Sequence, residues 1–383
     1  SKYDVSQQDL GEPTNNSSID GFNIGLNFLY FISKEHELKY GVEVLGYTTN
    51  LDFRNSIGSL IEHQDHSTEF AAYFNYKFND NNRFIIEPSL RLQNYTSLGE
   101  TSFEPRLGCK YNINEKLRLK TSFGIFSQNL MSTSSERDVV NLFSGFLSST
   151  TSLPEYFQSE EVTSSLQKST HYILGLEYEL GSNLDLNIEG YIKDFSQLIA
   201  ENKNQVFDDV PEFENEPDYL KTDFIVENGV ASGIDVLLKY FSDRVNVWSV
   251  YSFGIIERED EVQIYYPHYD RRHNFNLVFS YLFDRKKTWE FSLRWNYGSG
   301  FPFTKTQAYY EEINFLDGAN TDLNSLNGEL GILYSDLNSG RLPDYHRLDM
   351  SLKKTHTFSK NNILEISLGV TNIYNRDNIF YYD

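Results

Sequence analysis

Two short motifs carry residue types that could do chemistry, but neither has the surroundings of an active site. The segment "HQDHS" supplies His63, Asp65 and His66, which are metal-ligating types, yet no further ligand set stands nearby. We interpret it as a hydrated loop. The segment "DRRH" (270–273) has the residue types of an acid–base cluster, and we interpret it as side-chain pairing where a strand begins. The sequence therefore predicts no catalytic residue, no metal site and no cofactor.

The segment "FDDVPEFENEPDY" (207–219) concentrates negative charge. One interpretation is a solvated loop that faces an anionic surface and is bridged to it by divalent cations. The other interpretation is a surface that attracts a cationic or metal-bearing ligand. The carboxylates concerned are Asp208, Asp209, Glu212, Glu214, Glu216 and Asp218.

Five tyrosines in long polar segments are candidate ligand contacts. Their rings could stack on a ligand, although tyrosine is also the residue type that an interfacial rim uses. The candidates are Tyr265, Tyr266, Tyr269, Tyr309 and Tyr310. Any protein that uses them must hold several separate segments at one place on its surface.

The composition describes the scaffold that must position these residues. Aromatic residues make up 15% of the 383 residues while the mean hydropathy is only −0.50, which suits a sheet with one apolar and one polar face.

The net charge of −22 argues against a nucleic-acid partner, which needs a basic face. Cys109 is the only cysteine, so no internal disulfide can form. No apolar run approaches about 18 residues and no signal peptide opens the chain, so we expect a protein that is not exported or one whose natural beginning lies upstream.

Apolar and polar residues alternate with a period of two along most of the chain. In "TWEFSLRWNYGSG" (288–300), Trp289, Phe291 and Leu293 share one face, and the polar residues between them share the other. This pattern predicts about 14 strands, many of them longer than the usual five or six residues. The predicted strands lie near 21–33, 36–54, 67–79, 83–98, 101–113, 117–129, 170–181, 183–200, 223–242, 245–258, 271–284, 288–304, 342–358 and 361–374.

The connections between these strands alternate between tight turns and long, acidic loops. Short turns at one end and long loops at the other are typical of an outer-membrane β-barrel, whose turns are periplasmic and whose loops are extracellular. Four long segments carry formal charges of −3, −6, −4 and −4, and so hold most of the net charge: 131–169, 196–223, 257–270 and 304–342. The sequence therefore predicts an all-β protein, a transmembrane antiparallel up-and-down β-barrel of the bacterial outer membrane.

Four segments in the C-terminal half resemble the barrel of TonB-dependent outer-membrane receptors, most closely those of Bacteroidetes-type bacteria. They are "HYDRRHNFNLVFSYLF" (268–283), "WNYGSGFPFT" (295–304), "RLPDYHRLDMSLKK" (341–354) and "LEISLGVTNIYNRDNIFYYD" (364–383). Each motif alone is weak, but four in the family's order and spacing are fairly specific. The resemblance covers residues 220–383 well, and before that it depends on the strand pattern.

The resemblance implies that the chain supplies 14 strands of a barrel of about 22 that surrounds a plug. Residues 1–383 would then form a partial barrel, with the plug domain, the early strands and the final strand absent from this sequence. The whole receptor would take up a scarce nutrient of the siderophore, cobalamin, glycan or peptide class. Its expected partners are outer-membrane lipid and lipopolysaccharide, TonB acting through the plug, and a surface lipoprotein or other outer-membrane subunits.

Two other functions remain open from the sequence. Fourteen is an even number, so the strands could close on themselves into a passive diffusion pore with an open conductance. Alternatively, the barrel could be a structural subunit of a larger outer-membrane complex, which predicts stable co-purification with partners and no dependence on a ligand. An enzyme is the least favoured class.

Overall fold

We describe the fold from a computed structural model, which covers residues 2–7, 15–54, 60–133, 145–148, 153–207, 210–312, 329–359 and 362–379. Strands dominate these ranges, and the helical elements described there are the 3₁₀ turns Pro211–Phe213 and Asp218–Leu220. Among the described residues, no helix has the length and the apolar character needed to cross a membrane.

The strands follow one another along the chain and pair mainly with their neighbours in sequence. In chain order they are β1 (Lys2–Gln7), β2 (Asn15–Phe31), β3 (His36–Arg54), β4 (Leu60–Asp80), β5 (Phe84–Tyr95), β6 (Glu100–Asn112), β7 (Leu117–Gln128), β8 (Met131–Thr133), β9 (Gly145–Leu147), β10 (Tyr156–Phe157), β11 (Glu160–Glu161), β12 (Gln167–Glu179), β13 (Leu184–Glu201), β14 (Phe224–Phe241), β15 (Val245–Glu259), β16 (Ile264–Tyr265), β17 (His273–Leu282), β18 (Trp289–Gly298), β19 (Pro302–Phe303), β20 (Thr306–Glu312), β21 (Glu329–Tyr334), β22 (Gly340–Arg341), β23 (Tyr345–Ser359) and β24 (Asn362–Val370).

One antiparallel sheet contains all the long strands. Its order is β1-β2-β3-β4-β5-β6-β7-β12-β13-β14-β15-β17-β18-β23-β24, and β16 adds to β15. The connections between the long strands contain four separate two-stranded pairs, β8–β9, β10–β11, β19–β22 and β20–β21. Tight turns connect the long strands at one end of the sheet, which we call the turn end. The other connections, most of them long and one of them the short turn between β5 and β6, emerge at the opposite end, which we call the loop end.

The structure confirms the predicted all-β fold, because each of the 14 predicted strands corresponds to one long strand of the sheet. The N-terminal region contains a strand that the sequence did not predict, since the first predicted strand begins near residue 21. There, β1 pairs residue by residue with the start of β2, from Lys2 opposite Asp20 to Gln7 opposite Asn15. Alternation of polarity could not reveal this hairpin, since "NNSSID" is polar on both faces.

The two faces of the sheet have opposite polarity. Directly opposed residues point to the same side, so the pairs Leu277–Trp295 and Trp295–Leu348 form one apolar row across β17, β18 and β23. Apolar side chains of this face are widely exposed, as with Ile24 at 65% and Leu368 at 71%. A face that leaves so much apolar surface uncovered suits a lipid environment rather than water.

The sheet curves toward its polar face. The Tyr73 hydroxyl on β4 donates to Asn27 Oδ1 on β2 at 2.6 Å, and Arg91 Nη2 on β5 lies 3.1 Å from Glu43 Oε2 on β3. Each contact passes over an intervening strand, although strands two apart are separated by about 9–10 Å in a flat sheet. Side chains can meet in this way where the face is concave, so the polar face is the inner one.

Glycines on the inner face make room for one such aromatic side chain. Tyr191 on β13 faces Gly233 on β14, which in turn faces Gly254 on β15. A Cβ atom at Gly233 would lie 2.6 Å from the Tyr191 hydroxyl and 2.5 Å from the Phe253 carbonyl oxygen. The Tyr191 side chain therefore lies across β14 and β15, where the opposing residues are glycines and have no side chain.

We expect Gly233→Ala to destabilise the folded sheet by about 1–3 kcal/mol, because the added methyl group meets backbone as well as the tyrosine ring. Urea unfolding of the protein in detergent micelles would measure the change. Gly190→Ala is the matched control, since its Cβ would have no neighbour nearer than 3.9 Å. Equal urea midpoints for the two variants would show that Tyr191 and the neighbouring backbone accommodate the methyl group without a loss of stability.

The turn between β17 and β18 is closed by an aspartate. Asp284 Oδ1 accepts hydrogen bonds from the backbone N–H groups of Thr288 and Trp289, and Oδ2 accepts one from the Thr288 hydroxyl. Partial desolvation raises the pKa of Asp284, but these three hydrogen bonds outweigh it and hold the pKa at about 2.

Because this pKa lies below the ordinary value of 3.8, ionised Asp284 stabilises the turn above a pH of about 4 and loses that effect as the pH falls toward 2. We expect Asp284→Asn to unfold at lower urea concentration than the parent protein at neutral pH. The difference between the urea midpoints of the two proteins should become smaller as the pH falls from about 4 to about 2. If this difference in midpoint stayed constant down to a pH of about 2, the geometry of the hydrogen bonds, and not the charge of Asp284, would stabilise the turn.

Candidate functional site

The connection after β7 folds back over the sheet at the loop end. Its short strands β8 and β9 contribute Met131 and Leu147 to an apolar cluster that also contains residues of β3, β4, β13 and β14. The backbone N–H of Phe146 donates to Ser17 Oγ at 2.9 Å, which ties β9 to β2. The fully described members of the cluster are Leu51, Phe53, Ile61, Met131, Leu147, Ile199 and Phe224. This packing gives the loop end a core of its own.

The "HQDHS" residues lie in β4 and not in a loop, which corrects the sequence interpretation. His63 and Asp65 share the inner face, where His63 Nε2 lies 2.6 Å from Asp65 Oδ2 and 3.1 Å from the Ser148 carbonyl oxygen. His66 belongs to the other face and hydrogen bonds to Thr48. Across the described ranges, no three His, Cys, Asp or Glu side chains are grouped so that they could hold a metal ion.

Tyr265 is buried inside a cluster of charged side chains, and the other predicted tyrosines are not. Its hydroxyl donates to Glu227 at 3.0 Å and accepts a hydrogen bond of 2.9 Å from Lys203 Nζ, which also lies 4.0 Å from the ring centroid. Lys203 forms an ion pair with Glu227, whose side chain is completely buried. Tyr265 therefore stabilises the loops rather than presenting a free ring.

The same cluster links two loops that the sequence treats separately. Lys203, on the loop after β13, lies 3.6 Å from Asp260, on the loop after β15. Asp260 Oδ1 also accepts hydrogen bonds of 2.8 Å from the backbone N–H groups of Val262 and Gln263. Two loops that begin on different strands are thereby held in one arrangement. We call Lys203, Glu227, Asp260 and Tyr265 the buried ion cluster.

Sequence reasoning missed the buried ion cluster. The partners of Lys203 within it lie 24 to 62 residues further along the chain, and none of the four residues belongs to a recognisable motif. The one available signal is Lys203 itself, one of two lysines in the segment 196–223, whose formal charge is −6. A lysine in so acidic a segment has a choice of counter-ions, but the sequence does not say which carboxylate it meets.

The "DRRH" segment links two connections and strand β15 at the loop end through Asp270. Its carboxylate is buried and binds Arg272 Nε at 2.8 Å, Arg341 Nη2 at 2.5 Å and the backbone N–H of Ile256 at 3.0 Å. Desolvation lowers the pKa of Arg272, but its hydrogen bonds to Asp270 and Tyr266 and the nearby negative charge together outweigh this effect and raise the pKa above the ordinary value. The geometry is that of side-chain pairing, as the sequence predicts.

Four predicted tyrosines are exposed but belong to different elements. Arg272 stacks on Tyr266 with 4.5 Å to the ring centroid, and Arg258 donates to the Tyr269 hydroxyl at 2.7 Å. Tyr309 and Tyr310 lie on β20, on opposite faces of its hairpin with β21, and are 61% and 51% exposed. The rings of these four residues are accessible at the loop end.

The acidic segment after β13 is exposed. Glu212 and Glu214 point to solvent, while Glu216 and Asp218 are half-buried. Asp218 accepts a hydrogen bond of 3.1 Å from the backbone N–H of Glu155 and pairs with Lys221 at 3.3 Å. The predicted residues Asp208 and Asp209 lie outside the described ranges.

A cavity of about 680 Å³ opens on the inner face near the loop end, a volume typical of small-ligand sites. Its walls carry aromatic and amide side chains around one carboxylate. Glu69 accepts hydrogen bonds from the Tyr47 hydroxyl at 2.8 Å and from Gln93 at 2.5 Å. Its lining includes Tyr3, Asn23, Tyr47, Glu69, Gln93, Tyr95 and Asn129. Such a surface offers hydrogen bonds and ring faces to a polar molecule on the inner side.

A long antiparallel sheet with an apolar outer face, a concave polar inner face and long loops at one end defines the wall of a transmembrane β-barrel. The family model described as "TonB dependent receptor-like, beta-barrel" matches residues 2–373. The chain therefore belongs to the TonB-dependent receptor family, whose members are outer-membrane transporters and not enzymes. The Bacteroidetes likeness stays a prediction.

Solved receptors share the fold at low sequence identity. A mutant of the ferric enterobactin receptor PfeA from Pseudomonas aeruginosa is 13% identical over 95% of this chain, with a TM-score of 0.58. The FrpB iron transporter from Neisseria meningitidis is 11% identical over 95%, with a TM-score of 0.59. The unliganded ferric citrate transporter FecA is 15% identical over 98%, with a TM-score of 0.54.

The chain spans about half the length of these solved receptors, since the matches cover 49%, 52% and 51% of PfeA, FrpB and FecA. A sequence comparison with curated proteins gave no match. At these identities the likeness concerns the fold of the wall, and the molecules bound by the solved receptors are not thereby those of this protein.

Proposed function

We propose that this chain forms part of the wall of a TonB-dependent receptor that takes up a scarce nutrient across the bacterial outer membrane. The loop end faces the outside of the cell and the turn end faces the periplasm. Further strands complete a barrel of about 22 around a plug, through which TonB acts. Outer-membrane lipid and lipopolysaccharide contact the outer face, and a surface lipoprotein or other subunits join at the loop end.

The observation that carries this proposal is the opposite polarity of the two faces along the whole length of the sheet, in a chain that belongs to the receptor family. The edges of the sheet support a larger barrel over a self-closed pore. Within the described residues, β1 and β24 are not hydrogen bonded to each other. Since unpaired backbone groups are costly in lipid, both edges need further strands.

Iron chelates are the first nutrient class to test, because the solved receptors that share the fold are named for ferric enterobactin, ferric citrate and iron. Cobalamin, glycans and peptides remain open. Tyr266, Tyr269, Tyr309 and Tyr310 are the proposed ligand contacts, and Tyr265 acts behind them by fixing the loop. The exposed acidic segment attracts a cationic or metal-bearing ligand, with the proposed residues Asp208, Asp209, Glu212, Glu214, Glu216 and Asp218.

The test is nutrient uptake by cells that lack the gene, compared with the same cells carrying it on a plasmid. We expect the deletion to abolish growth on one nutrient as sole source and a protonophore to abolish its uptake in the complemented cells. Uptake that persists in the protonophore would favour a passive pore. Uptake unchanged by the deletion, together with stable co-purification with other outer-membrane proteins, would favour a structural subunit.

A further inference from the structure

Four large apolar side chains on the described parts of the connections after β7, β13 and β15 are more than half exposed at the loop end. Tyr156 is 57% exposed, Val206 60%, Val262 54% and Ile264 68%. These residues do not belong to the apolar outer face, because they lie on β10, on the loop after β13 and on the loop that contains β16. We call them the crown patch.

The segments that carry the crown patch are held against one another. Tyr156 and Val262 line the same cleft, together with Asn204, which is two residues from Val206. The backbone N–H of Gln158 donates to Glu261 Oε1 at 2.6 Å. The buried ion cluster also holds the loops after β13 and β15 together. The patch is therefore presented by a preorganised surface, which lowers the entropy cost of binding a partner.

Carboxylates surround the crown patch, and the local cations point inward. Segments 153–162, 201–223 and 257–264 have formal charges of −3, −6 and −3. Their side-chain exposures are only 5% for Lys203, 12% for Lys221 and 20% for Arg258, and each is paired with a carboxylate. Acidic side chains such as Glu160 and Glu161 are exposed. The charges exposed around the patch are therefore mainly those of carboxylates.

We propose that the crown patch docks a cationic, amphipathic polypeptide segment presented at the cell surface. Exposed aliphatic and aromatic side chains offer apolar contact area, and the surrounding carboxylates offer the complementary charge. A polypeptide fits better than lipopolysaccharide, because the phosphates of lipopolysaccharide would be repelled by the negative potential at this surface. This interaction goes beyond the uptake of a small nutrient and does not require a functioning plug.

The test uses the intact receptor in lipid nanodiscs and two fluorescent synthetic peptides. In the first peptide, lysines and leucines segregate to opposite faces, and in the second the leucines are replaced by serines. We expect the lysine–leucine peptide to bind more tightly, and Val262→Ser with Ile264→Ser to weaken it by about tenfold or more, since both side chains are buried on docking. Glu160→Gln with Glu161→Gln should weaken both peptides and reduce the effect of salt.

Matched controls remove the same chemistry from the turn end. Ile113→Ser and Glu35→Gln alter an exposed aliphatic side chain and an exposed carboxylate there, and neither should change peptide binding. Equal affinity for the two peptides, or unchanged affinity in the Val262→Ser and Ile264→Ser variant, would overturn the proposal. Equal binding to nanodiscs with lipopolysaccharide but no receptor would instead assign the signal to lipid.

Discussion

Replacing Leu293 by arginine is expected to destabilise the folded protein in a bilayer by about 2–4 kcal/mol, the cost of an arginine on the lipid face near the bilayer centre. Leu293 is in the middle of β18, on the apolar face opposite Phe279 and Met350. An arginine there must remain in hydrocarbon or distort the membrane to reach water. Urea titration of the protein folded in lipid vesicles measures the loss.

The neighbouring Ser292 provides the matched control, because it points to the inner face. Its hydroxyl lies 3.1 Å from that of Ser280 and near the Glu290 carboxylate. An arginine at this position could pair with Glu290, while the hydrogen bond between the two serine hydroxyls would be lost. We expect Ser292→Arg to change stability by no more than about 1 kcal/mol. If the two variants were equally stable, the apolar face would not be in contact with lipid, and the transmembrane assignment would fail.

Lys203→Met is expected to loosen the loop end by about 3–5 kcal/mol without unfolding the sheet. Removing one member of a buried ion pair is costly, and here the completely buried Glu227 would lose its lysine and keep Arg258, 3.4 Å away, as a counter-ion. The local opening that results should speed hydrogen exchange at Val262 and Gln263, which Asp260 holds, by about a hundredfold or more. Exchange measured by mass spectrometry would resolve these loops from the strands.

Lys221→Met is the control within the same loop, because Lys221 pairs with the half-exposed Asp218 and should contribute about 1 kcal/mol or less. Combining Lys203→Met with Glu227→Met removes both charges and should recover much of the protection. If Lys203→Met accelerated exchange no more than Lys221→Met, the buried ion cluster would not be what holds the two loops together.

The two-faced sheet could be predicted because its cause is local. On a strand, side chains alternate sides whatever the strand packs against, so Trp289, Phe291 and Leu293 must share a face. The same rule fails where both faces carry mainly polar residues, and so it missed β1 and the start of β2. It also misassigned His63 and His66, which belong to β4 where that strand extends toward the loop end.

The sequence by itself determined the class of fold, the number of long strands, the face that each side chain takes and the acidic character of the loops. These properties follow from backbone geometry and composition, which act over a few residues. Only the tertiary structure decided that Tyr265 is buried while Tyr266 and Tyr269 are accessible, and that Lys203 turns inward to Glu227. In the loops no periodicity constrains the side chains, and their partners are tens of residues away. Their placement depends on which strands the sheet brings side by side.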